Sequence, residues 1–106
     1  MSYFVRRWWG PTERELPPER FAEVIEQLLE DADEEHGSVS LQHESAWVLA
    51  YSLSRALIFE NVESDDHAAR FHQREVSAEY VLRLWTLLAT GNVELIKQEP
   101  WKPGYS

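Results

Sequence analysis

The sequence predicts an α+β fold in which an antiparallel meander sheet of four or five strands carries two main helices on one face. Three observations predict it. Phe21, Val24, Ile25, Leu28, Leu29 and Ala32 recur at steps of three and four, so they share one stripe of an α-helix. After Gly37 the apolar period drops to two, the rhythm of strands with one buried face. From Ser77 the helical spacing returns in Val81, Leu84, Trp85 and Leu88. A chain of 106 residues that is 43% hydrophobic has the ordinary size of one domain with its own core, so residues 1–106 are read as a single domain.

Taken in order, Tyr3 to Trp9 is rich in aromatic and β-branched residues and is closed by Gly10-Pro11, which reads as a strand and a turn. Pro17-Pro18 opens the first helix, because proline tolerates the first turn, where its missing N–H has no partner to lose. The opposite face of that helix carries Glu19, Glu23, Glu26, Glu30 and Asp33, and Gly37 stops it after His36. The stretches 38–42, 47–53 and 56–62 then read as three strands, and in the second of them Trp47, Leu49, Tyr51 and Leu53 share a face. Their short polar gaps favour consecutive antiparallel pairing, since a parallel neighbour needs a crossover of about a dozen residues. Residues 70–76 suit an edge strand or a loop. Ser77 caps the second helix, whose width of apolar surface predicts burial on more than one side. Gly91 ends it, Asn92 caps a short turn through Val93, Leu95 and Ile96, and the aromatic tail from Trp101 to Tyr105 is expected to dock.

Composition narrows the function classes. Ten Lys plus Arg against nineteen Asp plus Glu leave a formal charge of −9, which repels phosphate backbones and anionic lipid, so neither nucleic acid nor membrane is expected as a partner. No apolar run approaches the ~18 residues of a membrane span, and the first ten residues lack a secretory signal, so a cytoplasmic protein is expected.

Chemistry is sparse. His43-Glu44-Ser45 contains the three residue types of a hydrolase, but neighbours along a strand point to opposite faces and form no relay. There is no Gly-x-Ser-x-Gly elbow, no phosphate-binding glycine loop and no cysteine. Asp31, Asp33, Glu35 and His36 fail the spacing of a calcium loop at two positions, and Asp65, Asp66, His67 and His72 lack paired metal-ligand spacing. Glu44 and Glu60 on neighbouring strands would form a carboxylate pair. No catalytic residue, cofactor or metal is assigned, and a non-enzyme is favoured.

Electrostatic placement says more. Glu30, Asp31, Asp33, Glu34 and Glu35 crowd the end of the first helix, where the macrodipole is negative and each acid destabilises by a few tenths of a kcal/mol. Such a patch can speed association with a basic partner by roughly 10- to 1,000-fold at low salt. Trp8 and Trp9 are consecutive, so a strand would turn one of them outward, and an exposed tryptophan beside an acidic surface has the form of an interface hot spot.

The runs Val39-Ser40-Leu41-Gln42-His43-Glu44-Ser45-Ala46-Trp47 and Leu57-Ile58-Phe59-Glu60-Asn61, with Trp85 and Pro100-Trp101-Lys102-Pro103-Gly104-Tyr105, resemble a group of small bacterial proteins. That resemblance implies no activity. In size, acidity and aromatic content the chain is also similar to the acidic α+β immunity proteins that neutralise partner toxins, which implies a protein partner and assigns no residue to it.

The leading expectation is a protein-binding module, in its sharpest form an immunity-like inhibitor, meeting a basic partner through Glu30, Asp31, Asp33, Glu34, Glu35, Trp9, Glu60, Glu63, Asp65 and Asp66. The alternative is a small-molecule binder or minor enzyme with a pocket between sheet and helices, lined by His43, Trp47 and Tyr51 with Glu44 or Glu60 at its mouth. A homodimer pairing through an open sheet edge or the Trp8/Trp9 strand is a third.

Overall fold

In the computed structural model the described residues are 2–32, 37–63 and 70–104. The α+β class is as expected, but the sheet is larger. Its strands are β1 (Tyr3–Arg6), β2 (Thr12–Arg14), β3 (Ser38–His43), β4 (Trp47–Ser52), β5 (Leu57–Asn61), β6 (Arg70–Gln73) and β7 (Lys102–Pro103). They form one seven-stranded antiparallel sheet in the order β2-β1-β3-β4-β5-β6-β7. Among the described residues three α-helices accompany it: α1 (Phe21–Asp31), α2 (Ala78–Ala89) and α3 (Val93–Lys97).

Both additional strands lie at the edges and are polar. In β2 the sequence Thr-Glu-Arg buries nothing, so it has no alternation to detect, and β7 is a Lys-Pro pair. β1 ends earlier than expected. The Arg7 amide donates to the Pro11 carbonyl and the Gly10 amide to the Arg7 carbonyl, both at 3.0 Å, which closes a turn holding Trp8 and Trp9 with Gly10 at φ +109°. The two tryptophans are therefore turn residues rather than strand neighbours. β1 also sits between β2 and β3, so the open edges of the sheet are β2 and β7 rather than the strand before Trp8 and Trp9.

The register separates two faces. Val5, Leu41, Leu49, Phe59 and Phe71 fall in one cross-strand row on the covered face, with Val39, Tyr51 and Leu57 beside them. α2 lies over β3 and β4 and is flanked by α1 and α3, the central position its broad apolar surface predicts. Its Trp85 meets Phe21 of α1 edge to face, with centroids 5.6 Å apart. Phe21, Leu41, Leu49, Tyr51, Phe59, Leu84, Trp85, Leu88 and Ile96 are all fully buried, each side chain stabilising the fold by about 1.5–3 kcal/mol through burial alone.

Local signals explain the helix limits. Pro18 sits in a short 3₁₀ turn, Pro18–Arg20, that leads into α1. α1 stops at Asp31, with Ala32 already extended, rather than continuing to His36. The last turn contains no basic residue, so every further acid there would oppose the dipole uncompensated. Ser77 caps α2 as expected, its hydroxyl accepting from the Tyr80 amide at 3.2 Å. At the other end Gly91, at φ +80°, lets its own amide reach the Leu88 carbonyl and the Asn92 amide reach the Leu87 carbonyl, both at 2.9 Å. This is a Schellman closure. Asn92 precedes α3 without a side-chain capping bond; its amide donates to Thr90 instead.

The tail is docked through Trp101. Its indole N–H donates to the Ile96 carbonyl at 2.7 Å, and its ring stacks on Phe59 with centroids 5.3 Å apart. Glu99 accepts from both Tyr80 and Arg83 of α2, which ties the segment before β7 to the helix layer. Tyr105 lies outside the described residues.

Candidate functional site

All three helices pack on one face, so among the described residues the other face of the sheet has no second layer. The alternation that sends Leu41, Leu49 and Phe59 into the core sends Ser40, Ala50 and Ile58 to this uncovered side, opposite Arg6 on β1 and His72 on β6. The adjacent row runs Arg14, Phe4, Gln42, Val48, Glu60, Arg70. On β3, β4 and β5 the first row is small or apolar, the second adds Gln42 and the carboxylate of Glu60, and long cationic side chains stand on the outer strands.

That size gradient produces two adjoining concavities. One, of about 590 Å3, is lined by residues that include Arg6, Trp8, Trp9, Ser40, Val48 and Glu60. The other, of about 250 Å3, is lined among others by Ser52, Ala56 and Ile58. Ser38, Ala50 and Glu60 belong to both, so they form one shallow trough across β3, β4 and β5. At its far side His72 is buried, its Nδ1 donating to the Gly104 carbonyl at 3.0 Å.

The near rim is the β1–β2 turn. Trp8 packs against the core while Trp9, 49% exposed, stands edge to face with it at 5.6 Å between centroids. Arg7 fixes the turn to α1. Pointing to the helix side and 5% exposed, it donates to Glu13 at 2.8 Å, to Gln27 at 2.6 Å and to Glu23 at 3.4 Å, and its guanidinium lies 5.6 Å from the Trp9 ring centre. A buried guanidinium requires such partners, and no hydrophobic pattern announces it. The bond from Arg7 holds the Glu13 carboxyl below the ordinary carboxylate range. Glu23 is lowered too, first by its bond from Arg20 and further by Arg7.

The residues expected at a partner surface divide between two ends of the sheet. Glu30 and Asp31 are exposed at the end of α1, which runs down to the edge of the sheet where Trp9 stands and where β3 begins at Ser38. Glu60 and Glu63 belong to the other end, where β5 finishes; Glu63 is exposed and its amide donates to Asn61 at 3.0 Å. Glu60 sits on the uncovered face, 3.8 Å from Arg70. Asp33, Glu34, Glu35, Asp65 and Asp66 lie outside the described residues, as do His36 and His67. Among the described residues no cluster of metal-ligating side chains occurs.

Of the alternative pocket residues, His43, Trp47 and Tyr51 share the covered face, and Tyr51 with Glu60 borders the smaller concavity. Tyr51 is fully buried and donates to the Val76 carbonyl at 2.8 Å, Trp47 stacks on Phe59 at 4.4 Å with the Lys97 ammonium 5.1 Å from its ring centre, and large apolar side chains fill the space between sheet and helices. Glu60 is on the opposite face of the sheet from all of them, and Glu44 is exposed in the β3–β4 turn rather than beside Glu60. His43 and Ser45 do touch, contrary to the strand-geometry expectation, because residues 44–46 turn: the Ser45 amide donates to His43 Nδ1 at 3.1 Å, with the Ser45 hydroxyl 2.9 Å away. An imidazole accepting at Nδ1 carries its proton on Nε2, which is buried with no partner among the described residues. Among the described residues no carboxylate orients that nitrogen, and the contact shapes the turn.

No family profile, no curated protein and no solved structure matches the chain significantly.

Proposed function

We propose that the protein is a protein-binding module that meets a basic partner through the outer stripe of α1, with the exposed Trp9 as its anchor. The observation that carries this reading is the Arg7 bridge, which holds Trp9 beside Glu23 and so beside the acids that follow it along α1. Glu23, Glu26 and Glu30 recur at steps of three and four, with Asp31 next to them, and Glu26, Glu30 and Asp31 are exposed. A rigidly held indole amid fixed negative charge supplies an apolar contact for affinity and a field that steers a cationic surface. An immunity-like inhibitor of a basic toxin is the sharpest form of this function. Glu63, at the other end of the sheet, falls outside the revised footprint.

The test begins with the protein that co-purifies from the source cells. Against that partner, Trp9→Ala is expected to speed dissociation, and Glu26→Lys with Glu30→Lys and Asp31→Lys to slow association and flatten its dependence on salt. Rate constants unchanged by both substitutions would remove the proposal.

A further inference from the structure

The uncovered face is charged in the opposite sense to α1. Arg14 and Arg6 stand on its β2–β1 side, Arg70 and Lys102 on its β6–β7 side, and Glu60 is the one carboxylate among the described strand positions of that face. Four of the chain's ten Lys and Arg residues therefore gather on one surface of a protein with a formal charge of −9. The side chains of Arg6, Arg14 and Lys102 form no hydrogen bond or ion pair with the described residues, although acids outnumber bases almost two to one. Between the two basic sides lies the trough floor of Val48, Ala50 and Ile58, with Val48 only 8% exposed. β1 and β6 are four strand spacings apart, so the basic sides are separated by roughly 19 Å.

We propose that this face docks an acidic amphipathic segment of a partner protein, apolar at its centre and carrying carboxylates at both ends. Charge complementarity selects the occupant. The span between the basic sides corresponds to about six extended residues or about thirteen helical ones. A second copy related by a two-fold axis would place this face on itself, setting cations against cations over the same floor. Nucleic acid carries negative charge evenly along its length, whereas here the cations are at the sides and the middle holds Val48, Ala50 and Ile58 beside the carboxylate of Glu60, which would repel a phosphate. The proposal does not depend on the α1 surface, which lies on the other side of the sheet.

A randomised peptide library displayed against the intact protein provides the probe, and the selected peptide is then synthesised for titration. The expected selection is an apolar centre flanked by Asp and Glu, bound more weakly as salt rises. Arg6→Glu with Arg14→Glu should weaken the synthetic peptide by about tenfold or more, and Ala50→Arg should block it, while Glu30→Lys with Asp31→Lys leaves it unchanged. Thermal melts establish that each variant is folded. Both arginines are exposed, so they decide the matter if Ala50→Arg proves unstable. The proposal is overturned by the absence of selected binders, by a selection without acidic flanks, by affinity indifferent to Arg6 and Arg14, by displacement of the peptide with an oligonucleotide, or by a dimer in solution that occludes it.

Discussion

The two faces of the sheet are made from alternating residues of the same strands and have opposite designs. On the covered side Leu41, Leu49 and Phe59 are fully buried against a helix layer; one residue away, Ser40, Ala50 and Ile58 stay partly exposed, with no helix over them among the described residues. The covered face uses volume, and its side chains are large enough to meet α2. The uncovered face uses the lack of volume, since small residues in the middle of a sheet with long ones at the sides leave a hollow. The buried volume that stabilises the fold is thereby assigned to one parity of the chain, and substitutions on the two faces should read out separately.

The strongest way to break that comparison is at Trp85. Trp85→Ala is expected to cost about 3–5 kcal/mol in urea unfolding, whereas Ser40→Ala, on the other parity, should stay within about 0.5 kcal/mol. Comparable losses at both positions would mean that the uncovered face is part of the stabilising core. A smaller effect tests how the covered face handles polarity. Tyr51→Phe removes the donor to the Val76 carbonyl and should cost about 1 kcal/mol with little change in the urea slope.

The rim is tested by acid. Glu13 and Glu23 have folded-state values below their ordinary 4.5, so they contribute stability that is present above pH 4.5 and lost as pH falls through the lowered values. Arg7→Met should make the melting temperature fall less steeply below pH 4.5. Glu23 retains Arg20, so the flattening should be partial. The smallest effect concerns neither face. Arg55, exposed at φ +64° in the β4–β5 turn, is an L-residue in a left-handed conformation; Arg55→Gly should stabilise by about 0.5 kcal/mol once glycine's extra unfolded-state freedom is set against the relieved strain.

Large side chains made the covered half legible. The stripe from Phe21 to Leu28 and the alternation through Leu41, Leu49 and Phe59 report directly where apolar surface must be hidden. β2 and β7 were illegible because Thr12–Arg14 and Lys102–Pro103 bury no apolar side chain, so main-chain pairing alone defines them. Trp8 and Trp9 misled because aromatic residues favour strands on average, while Gly10 and Pro11 had already bent the chain. The candidate site was hidden for a different reason. A serine at 40 or an alanine at 50 carries no signal by itself, and Arg6, Arg14, Arg70 and Lys102 are far apart in sequence until the register sets them on one side. Arg7 looked like its neighbour Arg6, and only parity separates an inward guanidinium from an outward one.

The outermost strands, three residues long on one side and two on the other, have a further consequence. They leave almost no main-chain rim on which a foreign strand could add itself, and Pro103 has no amide to offer. Edge-to-edge growth into fibrils is therefore disfavoured at both margins, where Glu13, Arg14 and Lys102 add charge to short strands.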